Sequence, residues 1–183
     1  MSGDLIGRFA AAALTAGAEV IRVTGTGRAF AEAARLLADI KRGTVVASRV
    51  LRQDLERAGV EVILPDSTGD ITAAAASVVR ADFGAAETGT LVHFDEDEEE
   101  RLIWTLPPFS IAILEARTIF PDLESLAKEI AAHLGRGGVP GPQVSLVTGP
   151  SRTADIESQL TIGVQGPARL VVIIVEHGKA AAP

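Results

Sequence analysis

The chain has 183 residues, of which 47% are hydrophobic but only 4% aromatic. This length is typical of one domain, whose core must be filled by small and branched aliphatic side chains. Acidic residues outnumber Lys plus Arg by 24 to 17, and the formal net charge of -7 disfavours binding to nucleic acid or to anionic lipid. No cysteine is present, so the chain cannot hold an iron-sulfur cluster through its own thiolates.

The first third of the chain alternates helical and strand patterns. Its predicted helices cover residues 5–16, 29–41 and 49–58, and its predicted strands cover 19–23, 44–47 and 60–64. No apolar run reaches the ~18 residues of a membrane span, so we expect a cytoplasmic protein.

The middle of the chain breaks this alternation. The pattern predicts a helix at 71–80 and then three strands in close succession, at 90–94, 101–105 and 110–114. Six consecutive acidic residues at 95–100 lie between the first two of these strands. We interpret them as the solvated tip of a hairpin, which would insert antiparallel strands into the sheet.

Alternation returns in the last third, with predicted helices at 123–134 and 153–162 and predicted strands at 144–147 and 169–175. Helices alternating with short apolar strands predict a three-layer α/β/α fold around a mostly parallel, mixed sheet. We expect one domain over 1–183, with an N-terminal helix within 1–17 and a loose tail at 177–183.

The segment at 145–157, SLVTGPSRTADIE, combines an apolar strand, a Gly-Pro turn and the start of a predicted helix. Free backbone N–H groups, hydroxyls and a guanidinium at such a position can hold a phosphate or a carboxylate. Ordinary helix capping explains the same residue types. The candidate ligand-binding residues of this segment are Gly149, Ser151, Arg152, Thr153, Asp155 and Glu157.

A second candidate segment is 81–92, ADFGAAETGTLV, in which Glu87, Thr88 and Thr90 surround Gly89. A carboxylate on such a turn can act as a general base or a nucleophile, so Glu87 is the catalytic candidate. The alternative is a turn that needs Gly89 for positive φ and leaves Glu87 solvated. A third candidate, Gln165 with Gly166, precedes the last strand, where a tight turn also explains the pattern.

Two other patterns do not reach the standard of a motif. TGTGR at 24–28 has Phe30 where a dinucleotide-binding fingerprint requires Gly or Ala, so we interpret it as a turn. The three histidines, His93, His133 and His177, lack the i, i+4 spacing of a helix-borne metal pair. The sequence therefore predicts no metal site and no cofactor.

Three segments together resemble a known family in order and spacing. They are ADFGAAETGTLV at 81–92, RLIWTLPPFSIAIL at 101–114 and TGPSRTADIESQLTIGVQGPARLVVIIVE at 148–176. They are similar to the signature segments of the lactate utilization protein C family (LutC/YkgG), which carries the LUD domain. The resemblance extends over about residues 17–176.

The resemblance implies a fold like that of ribose-5-phosphate isomerase and the CoA transferases, with ligands at the carboxyl ends of the parallel strands. It also implies a non-redox role in the oxidation of L-lactate to pyruvate beside iron-sulfur partner proteins. It favours a small-anion site formed jointly by AETGT and GPSRTADIE. This chain departs from the family pattern at Ser110 and Gln165, where many relatives have histidine, and neither side chain titrates near neutral pH.

Two alternatives to the lactate-utilization subunit remain at this point. One is a stand-alone enzyme acting on a CoA ester or a sugar phosphate, with Glu87 as nucleophile or base. The other is a structural adaptor that binds no ligand.

Overall fold

A computed structural model describes residues 2–40, 43–63, 68–95, 97–135, 143–153, 161–163 and 166–177. Its helices are α1 (Ser2–Thr15), α2 (Thr26–Leu37), α3 (Arg52–Arg57), α4 (Thr68–Ala73), α5 (Glu98–Thr105) and α6 (Leu123–Leu134). Its strands are β1 (Glu19–Thr24), β2 (Thr44–Ala47), β3 (Ala74–Ala81), β4 (Phe83–Ala85), β5 (Thr90–Asp95), β6 (Phe109–Glu115), β7 (Ile119–Phe120), β8 (Gln143–Val147), β9 (Arg152–Thr153), β10 (Thr161–Ile162) and β11 (Arg169–Glu176).

The central layer is a five-stranded parallel sheet in the order β1-β11-β6-β3-β2. Two of its three inner strands, β11 and β6, are apolar along nearly their whole length and buried on both faces. Continuous apolar strands of this kind form where helices cover both sides of a parallel sheet. The prediction of a mostly parallel sheet is therefore confirmed.

The helices divide between the two faces of that sheet. Helices α1, α4 and α5 place Phe9, Ile71 and Trp104 in the core on one face. Helices α2 and α3 place Phe30 and Leu55 in the core on the other face. Helix α2 has the apolar spacing that such burial requires, since Ala29, Phe30, Ala33, Leu36 and Leu37 lie on one side of it.

A second, smaller sheet has the order β7-β4-β5-β8. Strand β5 is antiparallel to both β4 and β8, and β4 is parallel to β7. Helix α6 packs Leu126 against Ala85 and Val92 of this sheet. Asp122 caps the helix, because its carboxylate accepts a hydrogen bond from the Ser125 amide at 2.7 Å.

Most predicted elements are confirmed within a few residues at their ends. The helix at 123–134 and the strand at 44–47 have the predicted bounds. The segment at 49–58 is a 3₁₀ turn, Arg49–Leu51, followed by α3. Among the described residues, no helix is both long and apolar enough to cross a membrane.

Three predictions in the middle of the chain are wrong. The predicted helix at 71–80 is mostly strand β3, whose Ala-rich start resembles a helix but lies in the buried sheet. The predicted strand at 101–105 belongs to helix α5, which Asp97 caps by accepting from the Glu100 amide at 3.0 Å. The hairpin predicted between β5 and 101–105 is instead formed by β4 and β5, through the AETGT turn.

Two further predicted elements differ in type. The residues at 60–63 form only an isolated bridge from Ile63 to Val46, and residue 64 lies outside the described residues. The ends of the predicted helix at 153–162 are the antiparallel strands β9 and β10. The intervening residues, 154–160, lie outside the described part of the chain, as do residues 178–183 of the predicted tail.

Gly89 is the position where the AETGT turn touches α1 most closely. Its φ is +68°, and a Cβ atom there would overlap the backbone of Ala12 and Ala13. Both the positive φ and the close backbone approach require glycine.

We expect Gly89→Ala to lower the free energy of unfolding by about 2–5 kcal/mol, because strain in the left-handed region adds to overpacking. Gly7→Ala in helix α1, the helix that Gly89 contacts, is the matched control, since a Cβ at Gly7 meets no atom within 4 Å. The control should be neutral or stabilising by up to ~1 kcal/mol. Urea unfolding of both variants measures the difference, and equal stabilities would contradict the proposed contact.

Candidate functional site

The two signature turns meet at the end of helix α1. Gly89 in the first turn lies against Ala12 and Ala13, and Gly149 in the second turn lies against the carbonyl group of Ala16. Gly149 also has positive φ, +72°. Glycine at both positions lets the turns approach the same stretch of helix backbone, so residues 60 positions apart in sequence become neighbours.

A chain of hydroxyl groups joins the two turns. The Oγ1 atoms of Thr88 and Thr90 are 2.6 Å apart, and those of Thr90 and Thr148 are 2.7 Å apart. Thr90 is buried, and its strand β5 pairs with β8, which ends just before Thr148. The sequence interpretation that AETGT and GPSR lie together is consistent with this contact.

Beside the second turn lies an open cleft of about 580 Å³. Its walls are formed by residues 145–152, by Ala16, by Trp104 and Thr105, and by Gly166 and Pro167. Ala16, Thr105 and Pro167 precede β1, β6 and β11 respectively. The cleft is therefore at the amino-terminal edge of the parallel sheet, whereas the resemblance implied a ligand site at the carboxyl edge.

Arg152 supplies the positive charge at this cleft. Its guanidinium lies over Gly17, where a Cβ atom would overlap it, and Gly17 has φ of +94°. Among the described residues, no carboxylate lies within ion-pair distance of Arg152, although Arg22, Arg49, Arg80 and Arg169 each have an acidic partner. An exposed guanidinium of this kind can bind a carboxylate or phosphate ligand by donating hydrogen bonds to it.

Glu87 points away from this cleft. Its carboxylate accepts a hydrogen bond of 3.1 Å from the Leu123 amide, at the start of α6. Glu87 is exposed and does not contribute to the walls of the cleft. The contact with the Leu123 amide is that of a side chain capping the start of α6.

The other predicted site residues are distributed as follows. Gly166 lines the cleft with its backbone, and the backbone of Thr153 lies in β9. Asp155, Glu157 and Gln165 lie outside the described residues. Ser110 is fully buried inside the sheet, where its hydroxyl accepts a hydrogen bond of 3.1 Å from Ser77, so it is not part of the cleft.

Sequence reasoning missed a second polar site, which we name the His93 cluster: His93, Asp82, Asp95 and Glu100. His93 Nδ1 is 3.1 Å from Oδ2 of Asp82, and its Nε2 is 3.8 Å from Asp95 and 3.9 Å from Glu100. His93, Asp95 and Glu100 are each at least nine-tenths buried. The cluster lies at the carboxyl edge of the parallel sheet, because Asp82 directly follows β3.

Asp82 is held ionised by its neighbours. Burial raises the pKa of its carboxyl group, but hydrogen bonds from His93 and from the Phe94 amide, together with the charge of Arg80, outweigh burial and lower that pKa below its ordinary value. The Phe94 amide donates at 3.0 Å and Arg80 at 2.8 Å. An ionised Asp82 favours a proton on Nδ1 of His93.

The acidic segment at 95–100 is not the solvated hairpin tip that the sequence suggested. Asp95 and Glu100 at its two ends are buried, and Asp97 caps α5. The usable signal was the i, i+2 spacing of His93 and Asp95, which places both side chains on one face of a strand. Glu100 could not be added from spacing, because the start of α5 was predicted to be the tip of a hairpin and its remainder, 101–105, a strand.

Comparison with known proteins identifies one family. A model of the LUD domain matches residues 66–175. This segment contains AETGT, the His93 cluster and the turn with Arg152.

Curated relatives match about half of the chain or more. Lactate utilization protein C of Geobacillus kaustophilus (strain HTA426) is 38% identical over 95 residues, which are 52% of this chain and 40% of that protein. Uncharacterized protein YkgG of Escherichia coli (strain K12) is 36% identical over 99 residues, 54% of this chain and 43% of YkgG. Lactate utilization protein C of Geobacillus sp. (strain WCH70) is 31% identical over 134 residues, 70% of this chain and 56% of the relative. The chain thus spans between 40% and 56% of the length of these relatives.

A solved structure supports the fold over nearly the whole chain. The crystal structure of a DUF162 family protein from Deinococcus radiodurans superposes with a TM-score of 0.75, covering 96% of this chain and 99% of that one. The two sequences are 20% identical, so the likeness concerns the fold alone.

Because the pKa of Asp82 is lowered in the folded state, the free energy of unfolding should depend on pH. The ionised form of Asp82 contributes stability that is present above the unfolded pKa of about 3.9 and is lost as the pH falls through the lower folded value. We expect Asp82→Asn to lower the free energy of unfolding by about 1.5–3 kcal/mol at pH 7. The difference from the unsubstituted chain should shrink below pH ~4.

Urea unfolding of both proteins at several pH values measures this effect. Asp54→Asn, which breaks an exposed pair with Arg57, is the control and should cost no more than about 0.5 kcal/mol. A loss in Asp82→Asn that stayed constant down to low pH would contradict an ionised Asp82.

Proposed function

This chain belongs to the LUD domain family, and on that premise we propose that it is a non-redox subunit of an L-lactate utilization system that binds a small carboxylate in the cleft beside Arg152. The system is inferred from relatives named lactate utilization protein C. The observation that carries the ligand class is the exposed guanidinium of Arg152 at an open cleft, with no carboxylate partner among the described residues.

The negative net charge of the chain makes the Arg152 guanidinium a guide to the class of ligand. With a formal net charge of -7, most of the surface repels anions, so a carboxylate needs a local cation to bind. Arg22 and Arg169 are already paired with Glu176 and Glu19. Arg152 has a planar set of N–H donors that matches a carboxylate in two parallel hydrogen bonds.

The shape and polarity of the cleft also suit a small organic acid. Its volume of about 580 Å³ is in the range of ligand pockets. Thr148 and Ser151 supply polar groups to the wall, and Leu146 and Pro150 supply apolar surface. A hydroxy acid or keto acid presents the same combination of one carboxylate, one further oxygen and a short apolar part.

The absence of cysteine supports a non-redox part in such a system. Oxidation of L-lactate to pyruvate removes two protons and two electrons. An electron carrier must accept the electrons. This chain has no thiolate to hold an iron-sulfur cluster. We therefore propose iron-sulfur proteins as partners that carry the electrons, with this chain handling the carboxylate or supporting the assembly.

The experiment is thermal unfolding of the purified chain with L-lactate, pyruvate, CoA, ribose 5-phosphate or no ligand. A ligand at 100 times its dissociation constant stabilises the fold by roughly 2.7 kcal/mol, which shifts the melting temperature by a few degrees. We expect a shift with L-lactate or pyruvate that is lost in Arg152→Ala. Arg28→Ala, at an exposed position of α2 away from the cleft, is the matched control and should retain the shift.

A shift with CoA or ribose 5-phosphate alone would replace the carboxylate with another ligand class. No shift with any ligand would contradict carboxylate binding and leave a structural adaptor. Co-purification from the native cell tests the partner proposal separately, since recovery without iron-sulfur proteins would contradict it.

Glu87→Ala separates capping from catalysis. We expect it to lower the free energy of unfolding by about 0.5–1 kcal/mol, because the start of α6 loses an acceptor, and to leave the carboxylate-induced melting shift intact. Urea unfolding and the same ligand titration measure the two effects. Loss of the ligand shift at unchanged stability would instead place Glu87 in the binding site.

A further inference from the structure

We propose that the His93 cluster binds one divalent transition-metal ion through Nε2 of His93, Oδ1 of Asp95 and Oε2 of Glu100. These three atoms are buried and have no hydrogen-bond partner among the described residues. The other oxygen of each carboxylate is already used: Asp95 accepts from Ser145 at 2.6 Å, and Glu100 accepts from the Arg49 amide at 2.9 Å. Nε2 of His93 lies 3.8 Å from the free oxygen of Asp95 and 3.9 Å from the free oxygen of Glu100.

Unpartnered buried polar atoms are rare because each costs free energy. Leaving a buried donor or acceptor unsatisfied costs the desolvation free energy of that group, and a charged group costs more. Here three such atoms belong to side chains at least nine-tenths buried, and the indole nitrogen of Trp104 is a fourth. A bound ion would satisfy the imidazole nitrogen and both carboxylate oxygens at once.

Asp82 orients the His93 imidazole for metal binding. Its carboxylate accepts from Nδ1–H of the imidazole, which leaves the lone pair of Nε2 on the side of Asp95 and Glu100. A carboxylate behind a histidine fixes the tautomer and the ring orientation in metal sites. Asp82 is thus a positioning residue, held in turn by Arg80 and the Phe94 amide.

The negative charge around the cluster also favours binding of a divalent cation. Asp82 and Asp97 have guanidinium partners in Arg80 and Arg49, whereas Asp95 and Glu100 have none among the described residues. With His93 neutral, the four carboxylates and two guanidiniums carry a formal charge of -2. Two buried carboxylates are retained in proteins where a partner or a metal ion compensates them.

The spacing is close to that of a coordination sphere but slightly open. As the side chains stand, no group of three or more His, Asp or Glu side chains among the described residues is close enough together to hold a metal ion. The distances of 3.8 and 3.9 Å from Nε2 to the two oxygens compare with about 3.3–3.6 Å between ligands whose bonds to zinc are roughly 2.0–2.2 Å. A contraction of a few tenths of an ångström, within the reach of side-chain rotation, would close the site.

A small cavity beside the cluster offers space for an ion. A cavity of about 30 Å³ lies beside the cluster, with His93, Glu100 and Ser48 in its walls. This volume holds one or two water-sized particles. One imidazole nitrogen and two carboxylate oxygens favour Zn²⁺ or Mn²⁺ over metals that require thiolates. An open coordination position facing the cavity would hold water.

The test is metal titration of the purified chain after treatment with EDTA, without any carboxylate ligand. We expect uptake of about one equivalent of Zn²⁺ by calorimetry and visible d–d absorption with Co²⁺, which reports coordination directly. Asp82→Asn should weaken Zn²⁺ binding about 10- to 100-fold. His93→Gln should weaken it further, and His177→Gln, an exposed histidine outside the cluster, should leave it unchanged.

Asp95→Asn distinguishes the metal site from an ion pair with a protonated His93. In EDTA we expect this variant to melt at or above the temperature of the unsubstituted chain, because an uncompensated buried charge is removed. In saturating Zn²⁺ the order should reverse. Melting below the unsubstituted chain in both conditions, with no Zn²⁺ uptake by either protein, would overturn the proposal and indicate an imidazolium paired with two carboxylates. Because lactate and pyruvate are absent, this result is independent of the proposed carboxylate site.

Discussion

The contact of two glycine turns with the end of helix α1 determines where the rest of the cleft lies. Gly89 and Gly149 bring β5 and β8 against the same stretch of helix backbone, and no side chain could fit at either position. This contact aligns the three threonine hydroxyls and sets the loop from which Arg152 extends over Gly17. The polar signature residues are therefore positioned by close backbone packing. The hydroxyl contacts orient the threonine side chains.

Strand β5 connects the two polar sites of the molecule. Its first residue, Thr90, contacts Thr148 in the wall of the cleft at the amino edge of the parallel sheet, and its later residues His93 and Asp95 belong to the cluster at the carboxyl edge. Ser145 on the neighbouring strand lines the cleft and donates to Asp95. The order of the strands explains this arrangement, since β5 runs between the two edges antiparallel to β8.

The sequence predicted the alternating parts of the fold well and the middle poorly. Apolar periodicity identified β6, β11 and α2, whose apolar residues are almost all buried. It also identified β1 and α6, although β1 is only partly buried and α6 buries Leu126 alone. It failed where composition and environment disagree: alanines in β3 suggested a helix, and the acidic run at 95–100 suggested a solvated turn although its ends are buried. Motif spacing indicated Arg152 and Thr90 as candidates, whereas the helix that returns Glu100 to His93 is a tertiary effect that spacing does not reveal.

The two proposed ligand sites would be interdependent through their charges. Trp104 lines the cleft and lies 5.4 Å from the ring of His93, so only this ring and its neighbours would separate a bound carboxylate from the cluster. The cluster together with Asp97, Arg49 and Arg80 carries the formal charge of -2, which without a cation would oppose an anion beside Arg152, since charges in a low-dielectric interior act over such distances. A divalent ion would cancel that charge. Metal and carboxylate would then each strengthen the binding of the other by the same factor, because coupling between two sites is reciprocal.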